Sequence, residues 1–174
     1  SINLSRADLY LNRKPTKAIL TSPGTFLIDW SNSGKNNSDS KWVNWKEQLA
    51  IRNDKRQTDI IDQSNIATDF VNPMKLCLEI NQHVEDGDII VADGGDFVAT
   101  ASYILQPRSF TGWLDPGVFG TLGVGAGFIL GAKLTHPESI IWAIYGDGAF
   151  GYSLMEFDSF VRHKIPVIAI IGND

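Results

Sequence analysis

Cysteine is almost absent from this sequence, which has 174 residues and a single cysteine, Cys77. One cysteine cannot form an internal disulfide, which excludes a disulfide-stapled extracellular scaffold and suits a reducing compartment. Cys77 falls within a predicted amphipathic helix, and no histidine lies near it in the sequence. We therefore interpret Cys77 as a small core residue and not as a nucleophile.

Long apolar runs and excess positive charge are also missing. No segment is apolar over the length of a bilayer span, and no signal peptide opens the chain. The net charge of −5 and the pI near 5.1 argue against a nucleic-acid-binding or polybasic membrane surface. A bound phosphate group must therefore be held by local backbone N–H groups and a metal ion, and not by a general positive field.

Neither end of the chain has the features of a natural terminus. Ser1 is not an initiator methionine, and Asp174 comes just after an apolar segment that has the pattern of a buried strand. We expect the chain to be part of a longer protein, in which any membrane anchor would precede Ser1.

Three stretches of different composition predict the domain organisation. Residues 1–30 have a short apolar run, a Ser-Pro pair and further apolar residues, which predict the final strand and helix of a preceding α/β domain. Residues 31–66 are polar, with a stripe of tryptophan and leucine at helical spacing, and predict an interdomain linker with one helix. Residues 67–174 predict the main domain.

From Asn72 onwards, apolar strands alternate with helical patterns. The predicted strands cover 88–92, 140–145 and 167–171, and the predicted helices cover about 73–84, 97–105, 121–133 and 152–163. This alternation implies parallel β-α-β units, and near-continuous apolar strands imply a sheet covered on both faces. We therefore predict a doubly wound, mostly parallel α/β sheet with helices on both faces. Ligands of such sheets bind beyond the carboxyl ends of the strands.

Two of these strand ends carry oxygen ligands suited to a metal ion. Gly146-Asp147-Gly148-Ala149 follows one strand, and Asn173 follows the next strand along the chain. Glycine lets the backbone approach an anion closely, and a carboxylate beside a phosphate makes chemical sense where Mg²⁺ lies between them. Because consecutive parallel strands end at one edge of a sheet, we expect Asp147 and Asn173 to converge on one ion. Gly-Asp-Gly alone is ordinary turn chemistry, but its pairing with this asparagine is specific.

The segment GDGAFGYSLMEFDSFVRHKIPVIAIIGND, which ends the chain, resembles the signature of thiamine diphosphate (ThDP)-dependent enzymes. In that signature, GDG is followed about one βα unit later by Asn-Asn or Asn-Asp. The resemblance implies that Asp147 and Asn173 ligate Mg²⁺. It implies that Gly146, Gly148 and Ala149 hold the diphosphate, the last two through their backbone N–H groups. A third metal ligand, the backbone carbonyl two residues past the asparagine, lies beyond the given sequence.

The segment DPGVFGTLGVGAG, residues 115–127, resembles the same family and is too glycine-rich for an ordinary core helix. The resemblance implies that Leu122 wedges the cofactor into a V shape and donates its N–H to a ring nitrogen. It also implies that the Gly120 carbonyl accepts a hydrogen bond from the aminopyrimidine. Close packing of a helix on a strand is the alternative reason for glycine here, and we expect it at Gly125 and Gly127.

The segment ADGGDF, residues 92–97, ends a strand and opens a helix in a turn that touches the diphosphate throughout the family. Asp96 and Phe97 stand where acetolactate synthases tend to carry Gln and His. The resemblance makes Asp96 a cofactor-binding candidate, although an acidic residue here could instead cap the helix. Gly95 is therefore the better candidate for a phosphate contact.

Within the family, acetolactate-synthase-like 2-hydroxyacyl-CoA lyases resemble the chain over residues 70–174. The resemblance implies cleavage of 2-hydroxyacyl-CoA to formyl-CoA and a shortened aldehyde, in fatty acid α-oxidation at the cytosolic face of the endoplasmic reticulum membrane. It implies a homodimer or homotetramer with the site at a subunit interface. The activating glutamate then comes from an N-terminal domain of the opposing subunit, so we expect no catalytic residue in this chain and no turnover by the chain alone.

Two other functions fit the same residues. Acetolactate-synthase-type decarboxylation and ligation of 2-oxo acids uses the same cofactor and the same anchoring residues. A non-catalytic Mg²⁺ and nucleotide-binding module of doubly wound fold would also use an Asp147/Asn173 pair. The Leu122 wedge favours ThDP, because a simple nucleotide-binding module does not need it.

Overall fold

A computed structural model describes residues 1–33 and 42–173. It divides the chain into two compact units, Ser1–Asn53 and Asp54–Asp174. None of the described helices is long and apolar enough to cross a membrane.

The first unit contains a small parallel sheet and a helix. Strands β1 (Ile2–Asn3) and β2 (Ile19–Leu20) pair in parallel, and Leu9 between them is buried. Helix α1 (Pro23–Asn32) begins at the predicted proline. Proline suits this position because its ring presets φ and because the first helical N–H has no partner within the helix.

The polar stretch that follows contains one helix, α2 (Val43–Ser64), which crosses the boundary between the two units. Its tryptophan and leucine stripe is only half-buried: Trp45 is 56% exposed and Leu49 is 44% exposed. Trp42 and Trp45 contact each other edge to face, with ring centroids 6.1 Å apart. The rest of the predicted linker, residues 34–41, lies outside the described residues.

The second unit is built on a four-stranded parallel sheet with the strand order β4-β3-β5-β6. After α2, its strands and α-helices are, in chain order, α3 (Pro73–His83), β3 (Ile89–Asp93), α4 (Asp96–Ile104), β4 (Trp113–Leu114), α5 (Gly125–Thr135), β5 (Ile141–Gly146), α6 (Asp147–Ser153), α7 (Glu156–Arg162) and β6 (Ile168–Gly172). The predicted doubly wound α/β fold is confirmed. Strand β4 was not predicted, because two residues are too few to show the pattern of a strand.

Helices cover both faces of this sheet because alternate strand residues point to opposite sides and are apolar on both. Val91 and Tyr145 belong to a buried cluster with residues of α5, α6 and α7. Ile90 and Ile144 belong to a second cluster with α3, α4 and Ile60 of α2. The sheet is therefore the middle layer between two apolar cores.

Two sequence predictions about α3 are confirmed. Asn72 caps the helix, since its side-chain oxygen accepts hydrogen bonds from the amides of Met74 and Lys75 at 3.0 and 3.3 Å. Cys77 is fully buried in the second cluster, and this burial raises the pKa of its thiol to about 11. A protonated thiol in an apolar core is a packing group and not a nucleophile.

The glycine-rich helix begins later than predicted. The prediction placed its start at Thr121, but α5 begins at Gly125, because Gly120 and Gly123 have φ values of 58° and 86°. Those values lie in the left-handed region, which a right-handed helix cannot contain. The expected close packing is confirmed at Gly125, where a Cβ would lie 2.8 Å from the Tyr145 ring. At Gly127 the expectation is wrong, since nothing lies within 4 Å of the Cβ position.

The predicted helix 152–163 is in fact two helices. The first, α6, begins at Asp147 and ends at Ser153, and the second, α7, begins at Glu156. Asp147 and Gly148 therefore lie in the first turn of a helix and not in a separate turn between strand and helix.

Strands β3 and β5 are neighbours whose following helices lie on opposite faces of the sheet. Helix α4 packs in the cluster of Ile144, whereas α6 contributes Ala149 to the cluster of Tyr145. Where two adjacent strands send their helices to opposite sides, a crevice opens at their carboxyl ends, and this is the usual ligand site of such sheets. Gly94, Gly95 and Gly146 lie at this point, where β3 and β5 end.

Candidate cofactor site

The carboxyl ends of β3, β5 and β6 finish in a row of glycines. Asp93 pairs with Tyr145 and Tyr145 with Ile171, so the next residues are Gly94, Gly146 and Gly172. Side chains are excluded at all three positions, because a Cβ on each would collide with a neighbour. The glycines at these strand ends thus pack closely against their protein neighbours, and Gly146 is buried.

Gly94, Gly95 and Gly146 form the tightest part of this row. The amide of Gly146 donates a 2.8 Å hydrogen bond to the carbonyl of Gly94, and a Cβ on Gly95 would lie 3.0 Å from the Gly146 Cα. Gly94 and Gly95 have φ values of 57° and 105°, which residues with a side chain rarely adopt. Glycine is required here both by the backbone conformation and by the lack of space.

The third glycine, Gly172, lies under the aromatic ring of Phe97. A Cβ at Gly172 would overlap the Phe97 side chain. Phe97 is the second residue of α4, so its ring ties the start of that helix to the end of β6. This contact closes the row of glycines on its outer side.

The structure brings Asp147 and Asn173 to neighbouring strand ends, as predicted from their spacing. Gly146 and Gly172 are partners in the β5–β6 register, and Asp147 and Asn173 are the next residue after each. Both are exposed beyond the sheet edge. The two residues therefore follow neighbouring strand ends at one edge of the sheet.

The amide of Gly148 is already engaged. It donates a 2.7 Å hydrogen bond to Oδ1 of Asp147, and the phosphate contact that the resemblance implies for it stays a prediction. The first-turn N–H groups of a helix have no carbonyl partner within the helix, so a nearby carboxylate is a natural acceptor. Ala149 is buried beside the row of glycines, with its Cβ 3.5 Å from the Cβ position of Gly94.

The available oxygen ligands fit a magnesium ion shared with a phosphate. Within residues 1–33 and 42–173 there is no group of three or more His, Cys, Asp and Glu side chains that could hold a metal ion alone. Zinc is generally held by three or four protein ligands, and calcium by about six to eight oxygen atoms. Mg²⁺ is commonly held by one or two protein oxygens together with substrate phosphates, and Asp147 and Asn173 supply such a partial set.

The Leu122 side chain lies against Gly94, and its role as a wedge under the cofactor stays a prediction. A Cβ on Gly94 would overlap the Leu122 side chain. Leu122 remains 45% exposed, so part of its apolar surface faces outward from the row of glycines. Gly120 stands at the start of the same loop in the left-handed conformation, exposed and with open space around its Cβ position. The structure thus brings Leu122 and Gly94 together.

The alternative role of Asp96 as a helix cap is wrong. The residue that precedes α4 is Gly95, no side-chain hydrogen bond caps the helix, and Asp96 is its exposed first residue. Gly95 lies against Gly146, and a phosphate contact at Gly95 stays a prediction.

Sequence reasoning missed Asp93, the last residue of β3. Its carboxylate is fully buried and accepts hydrogen bonds from the amides of Gly123 and Gly125, at 3.1 and 2.8 Å to Oδ2. The signal that could have revealed it is the charge itself: an acid at the end of an apolar strand is buried only where donors meet it. Here the donors come from a loop 30 residues away.

Tyr145, next to Asp93 on the neighbouring strand, was also missed. It is fully buried, and neither its hydroxyl nor that of buried Ser153 has a partner with hydrogen-bond geometry in the described structure. Burial raises the pKa of Tyr145 strongly, with smaller contributions from the negative charges of Asp93 and Glu156. The Ser153 hydroxyl acts weakly in the opposite direction, although its contact lies outside hydrogen-bond limits.

Comparison with known proteins agrees with this geometry. The family described as "Thiamine pyrophosphate enzyme, C-terminal TPP binding domain" matches residues 93–174, where thiamine pyrophosphate (TPP) is another name for ThDP. The match begins at the buried Asp93 and includes all the candidate site residues.

Curated relatives extend the similarity to the whole chain. 2-Hydroxyacyl-CoA lyase 2 of Mus musculus is 46% identical over 99% of this chain, and that of Caenorhabditis elegans is 44% identical over 100%. The probable acetolactate synthase of Mycobacterium bovis is 36% identical over 75% of the chain. The chain spans 28% of the length of the two lyases and 24% of the synthase.

A solved structure shares the fold. The thiamine diphosphate-dependent 4-hydroxybenzoylformate decarboxylase of Rhodococcus jostii RHA1 superposes with a TM-score of 0.56 and 24% identity, over 62% of this chain and 20% of that protein. The fold, the family match and the relatives agree. This chain therefore belongs to the thiamine pyrophosphate enzymes, and residues 93–174 are the TPP binding domain that the family carries at its C-terminal end.

Proposed function

We propose that this chain anchors thiamine diphosphate and Mg²⁺ in a carbon–carbon lyase that cleaves 2-hydroxyacyl-CoA to formyl-CoA and a shortened aldehyde. The observation that carries the reaction is the 46% identity to a 2-hydroxyacyl-CoA lyase 2 across 99% of the chain. Because the chain spans 28% of that relative, we propose that it acts within a longer polypeptide, called the full-length protein below.

The pairing of Gly146 with Gly172 is what supports the cofactor anchor. It sets Asp147 and Asn173 beside each other, so that both can contribute oxygen ligands to one Mg²⁺. The diphosphate is proposed to lie against the backbone beyond these strand ends. Gly95, Gly146, Gly148 and Ala149 line this place, and Asp96 stands exposed at its edge.

Leu122 and Gly120 supply the second half of the anchor. The exposed part of Leu122 offers an apolar support to the rings of the cofactor, while the diphosphate lies towards Asp147. Nothing lies within 4 Å of the Cβ position of Gly120, and its carbonyl is proposed to accept from the aminopyrimidine. When bound, ThDP supplies the carbon nucleophile that makes C–C cleavage possible, and the residues of this chain orient it.

The catalytic glutamate is proposed to come from another part of the full-length protein, at a subunit interface in a homodimer or homotetramer. Large apolar side chains beside the site support such an interface. Val118 and Phe119, just before Gly120, are 99% and 88% exposed, and Met155, just after α6, is 79% exposed. Apolar patches of this kind usually mark contact surfaces. The chain alone is proposed to be inactive.

Location at the cytosolic face of the endoplasmic reticulum membrane and a role in fatty acid α-oxidation complete the proposal. Both rest on the similarity in sequence to acetolactate-synthase-like 2-hydroxyacyl-CoA lyases. Fractionation of cells that express the tagged full-length protein tests the location, with recovery in the microsomal pellet as the expected result.

Product analysis of the full-length protein tests the reaction. With ThDP and Mg²⁺, we expect 2-hydroxyacyl-CoA to yield formyl-CoA and an aldehyde one carbon shorter, and pyruvate to yield little product. Acetolactate from pyruvate, with no formyl-CoA from the thioester, would contradict the lyase. That outcome would favour acetolactate-synthase-type chemistry, which the 36% identity to the probable M. bovis synthase keeps as the second candidate.

Calorimetry separates cofactor binding from a nucleotide-binding role. The full-length protein is titrated with ThDP and with ATP, each with and without Mg²⁺. We expect binding of ThDP that requires Mg²⁺ and weak or no binding of ATP. Tight ATP binding without ThDP binding would contradict the proposed cofactor, whatever the reaction products.

A further inference from the structure

Asp93 is a buried carboxylate directly before Gly94, one of the glycines at the strand ends. It ends β3 and is fully inaccessible to solvent. In the described structure its oxygens accept from two backbone amides: Gly123 donates to both oxygens at 3.1 Å, and Gly125 donates to Oδ2 at 2.8 Å. A buried carboxylate is unfavourable unless such donors surround it, so its presence calls for a specific role.

The two amides belong to the loop that carries Leu122. Gly123 follows Leu122 directly, and Gly125 is the first residue of α5. A Cβ on Gly125 would lie 2.9 Å from the Asp93 Cβ. A Cβ on Gly123 would lie 2.8 Å from the Cβ of Tyr152, which belongs to helix α6. The loop is therefore held between the end of β3 and helix α6.

Leu122 itself is too exposed to fix the loop through its own burial. With 45% of its surface accessible, it gains only part of the stabilisation of a core leucine. Its contact with Gly94 is a contact at the far end of a flexible side chain. The hydrogen bonds of Asp93 are thus the directional interactions that set where Leu122 stands.

We propose that Asp93 is a positioning residue, whose carboxylate holds the loop Gly120–Val124 in place before the cofactor arrives and so sets the affinity for the ring part of ThDP. This rests on the proposed function, in which Leu122 supports the rings and the Asp147/Asn173 pair holds the diphosphate. Asp93 does not touch the cofactor in this proposal, because the backbone of Gly94 and the loop cover it.

A carboxylate is needed because it only accepts hydrogen bonds. Asparagine has nearly the same shape, but one of its two polar atoms is an NH₂ group that donates. In Asp93→Asn, the remaining oxygen could still accept from both Gly123 and Gly125, as Oδ2 does here, but the NH₂ group would replace Oδ1 and face the N–H donor of Gly123, which lies 3.1 Å from Oδ1. We expect the loop to lose its fixed position while the rest of the sheet stays intact.

The experiment compares two ligands on the full-length protein: ThDP with Mg²⁺, and inorganic diphosphate with Mg²⁺. For Asp93→Asn we expect the Kd for ThDP to rise at least tenfold and the Kd for inorganic diphosphate to change less than twofold. The double variant Asp93→Asn/Leu122→Ala should bind ThDP no more weakly than the weaker single variant. Equal losses for both ligands, or no loss for ThDP, would overturn the positioning role.

Asp88 provides the matched control. It is a second buried acid, 5% exposed, at the opposite end of β3, and it accepts from the Glu85 amide at 3.0 Å and from Trp142 Nε1 at 2.9 Å. Asp88→Asn removes a buried carboxylate in the same way but far from the loop. We expect it to lower stability without changing the ratio of the two Kd values. A changed ratio in Asp88→Asn would overturn the specific role of Asp93.

Hydrogen exchange on the unaltered protein keeps the test independent of how the variants fold. If Asp93 holds the loop, the amides of Gly123 and Gly125 are protected without ThDP and gain little protection when ThDP binds. Fast exchange that slows only with ThDP would overturn the proposal, since the cofactor would then order the loop. Failure of the unaltered protein to bind ThDP at all would instead reject the proposed function.

Discussion

The backbone of Gly146 lies against that of Gly94: the Gly146 amide donates a 2.8 Å hydrogen bond to the Gly94 carbonyl, and a Cβ on Gly146 would lie 2.8 Å from the same oxygen. The obstacle is backbone, not a flexible side chain, so it cannot move aside. This contact joins the carboxyl ends of the two central strands, at the place where the diphosphate is proposed to lie.

Replacing Gly146 with alanine is therefore expected to spread the ends of β3 and β5. Forcing a methyl group into a closed space typically costs about 1–3 kcal/mol of unfolding free energy. We expect a loss in this range for Gly146→Ala, together with loss of Mg²⁺-dependent ThDP binding. Urea unfolding followed by circular dichroism measures the first effect, and calorimetry measures the second.

Gly151→Ala is the control for this substitution. Gly151 lies in α6, five residues on, with nothing within 4 Å of its Cβ position and no positive φ. Alanine is a better helix former than glycine by up to about 1 kcal/mol, so the control should be neutral or stabilising. Equal losses in both variants would show that the contact with Gly94 is not the cause.

The contact between Gly94 and Leu122 predicts two variants with the same defect. Leu122→Ala removes the apolar support for the cofactor rings, and Gly94→Ala drives the Leu122 side chain out of the same place. We expect each to weaken ThDP binding about tenfold. The double variant should bind no more weakly than the weaker single variant, because both changes remove one interaction. Additive losses in calorimetry would contradict this.

The free energy of unfolding should distinguish Leu122→Ala from Gly94→Ala. Leu122 is half-exposed, so Leu122→Ala should cost less than the roughly 2–5 kcal/mol of a buried leucine. Gly94 has a φ of 57°, and alanine in the left-handed region costs roughly 1–2 kcal/mol whatever the space around it. Leu122→Ala should not recover that backbone cost. Full recovery of stability in the double variant would mean that the overlap alone was responsible.

The sequence predicted the fold because its apolar pattern is strong and local. Strand β5 is apolar from Ile141 to Tyr145, and alternate residues serve two different cores, so a run without polar interruptions implies a sheet covered on both faces. Asn72 predicted the start of α3 because its side chain accepts hydrogen bonds from the amides of residues only two and three positions later. Signals of this kind need no knowledge of the rest of the chain.

The edges of helices were harder to predict, because glycine has no preferred sign of φ. Gly120 and Gly123 adopt left-handed conformations, whereas Gly125 and Gly127 are helical. The amino-acid sequence alone does not distinguish the first pair of glycines from the second. The difference comes from tertiary contacts, such as that of Gly123 with Tyr152. The start of α5 therefore depends on residues 29 positions away in the sequence.

The candidate site was predictable from the sequence where its functional side chains belong to short motifs. Asp147 and Asn173 follow strands of similar length, so their meeting at one sheet edge follows from the parallel topology. Asp93 was not predictable in the same way, since its partners are backbone amides of Gly123 and Gly125. Any residue type offers an amide, so the sequence does not mark which ones a buried carboxylate will find.

Cys77 predicts a fall in stability at alkaline pH. Burial raises the pKa of its thiol to about 11 from an ordinary value near 9.0, so between these values the unfolded chain loses the proton and the folded chain keeps it. Stability contributed by this group is complete below pH 9 and is lost as the pH rises towards 11. At about 1.4 kcal/mol per pKa unit, the loss is on the order of 2 to 3 kcal/mol.

Cys77→Ala isolates this contribution, because the variant keeps every other titrating group. At pH 7 the variant should be less stable, by roughly the cost of removing a small buried group, about 1 kcal/mol. Urea unfolding from pH 8 to 11 should show the difference shrinking and then changing sign, because the loss of about 2 to 3 kcal/mol in the unaltered protein exceeds its initial advantage of about 1 kcal/mol. A constant difference across this range would contradict the pKa of the folded thiol.

Lys164 predicts a stabilising substitution. Among residues 1–33 and 42–173, Lys164 is the one residue other than glycine with a positive φ, which is 55°. It ends α7 in a turn in which the Ile165 amide donates a 2.8 Å hydrogen bond to the Phe160 carbonyl. Helices commonly end with glycine in this left-handed position, because glycine avoids the steric cost of a Cβ.

We therefore expect Lys164→Gly to raise the unfolding free energy by about 0.5–1 kcal/mol. Glycine removes the steric cost of a Cβ in the left-handed region, but part of this gain is lost because glycine has more conformational freedom in the unfolded chain. Lys164→Ala is the matched control, since it removes the same charge and stem but keeps the Cβ. Thermal unfolding of the three proteins at one pH measures the difference. If alanine stabilises as much as glycine, the gain comes from the lost charge near Arg162 and His163 and not from the backbone.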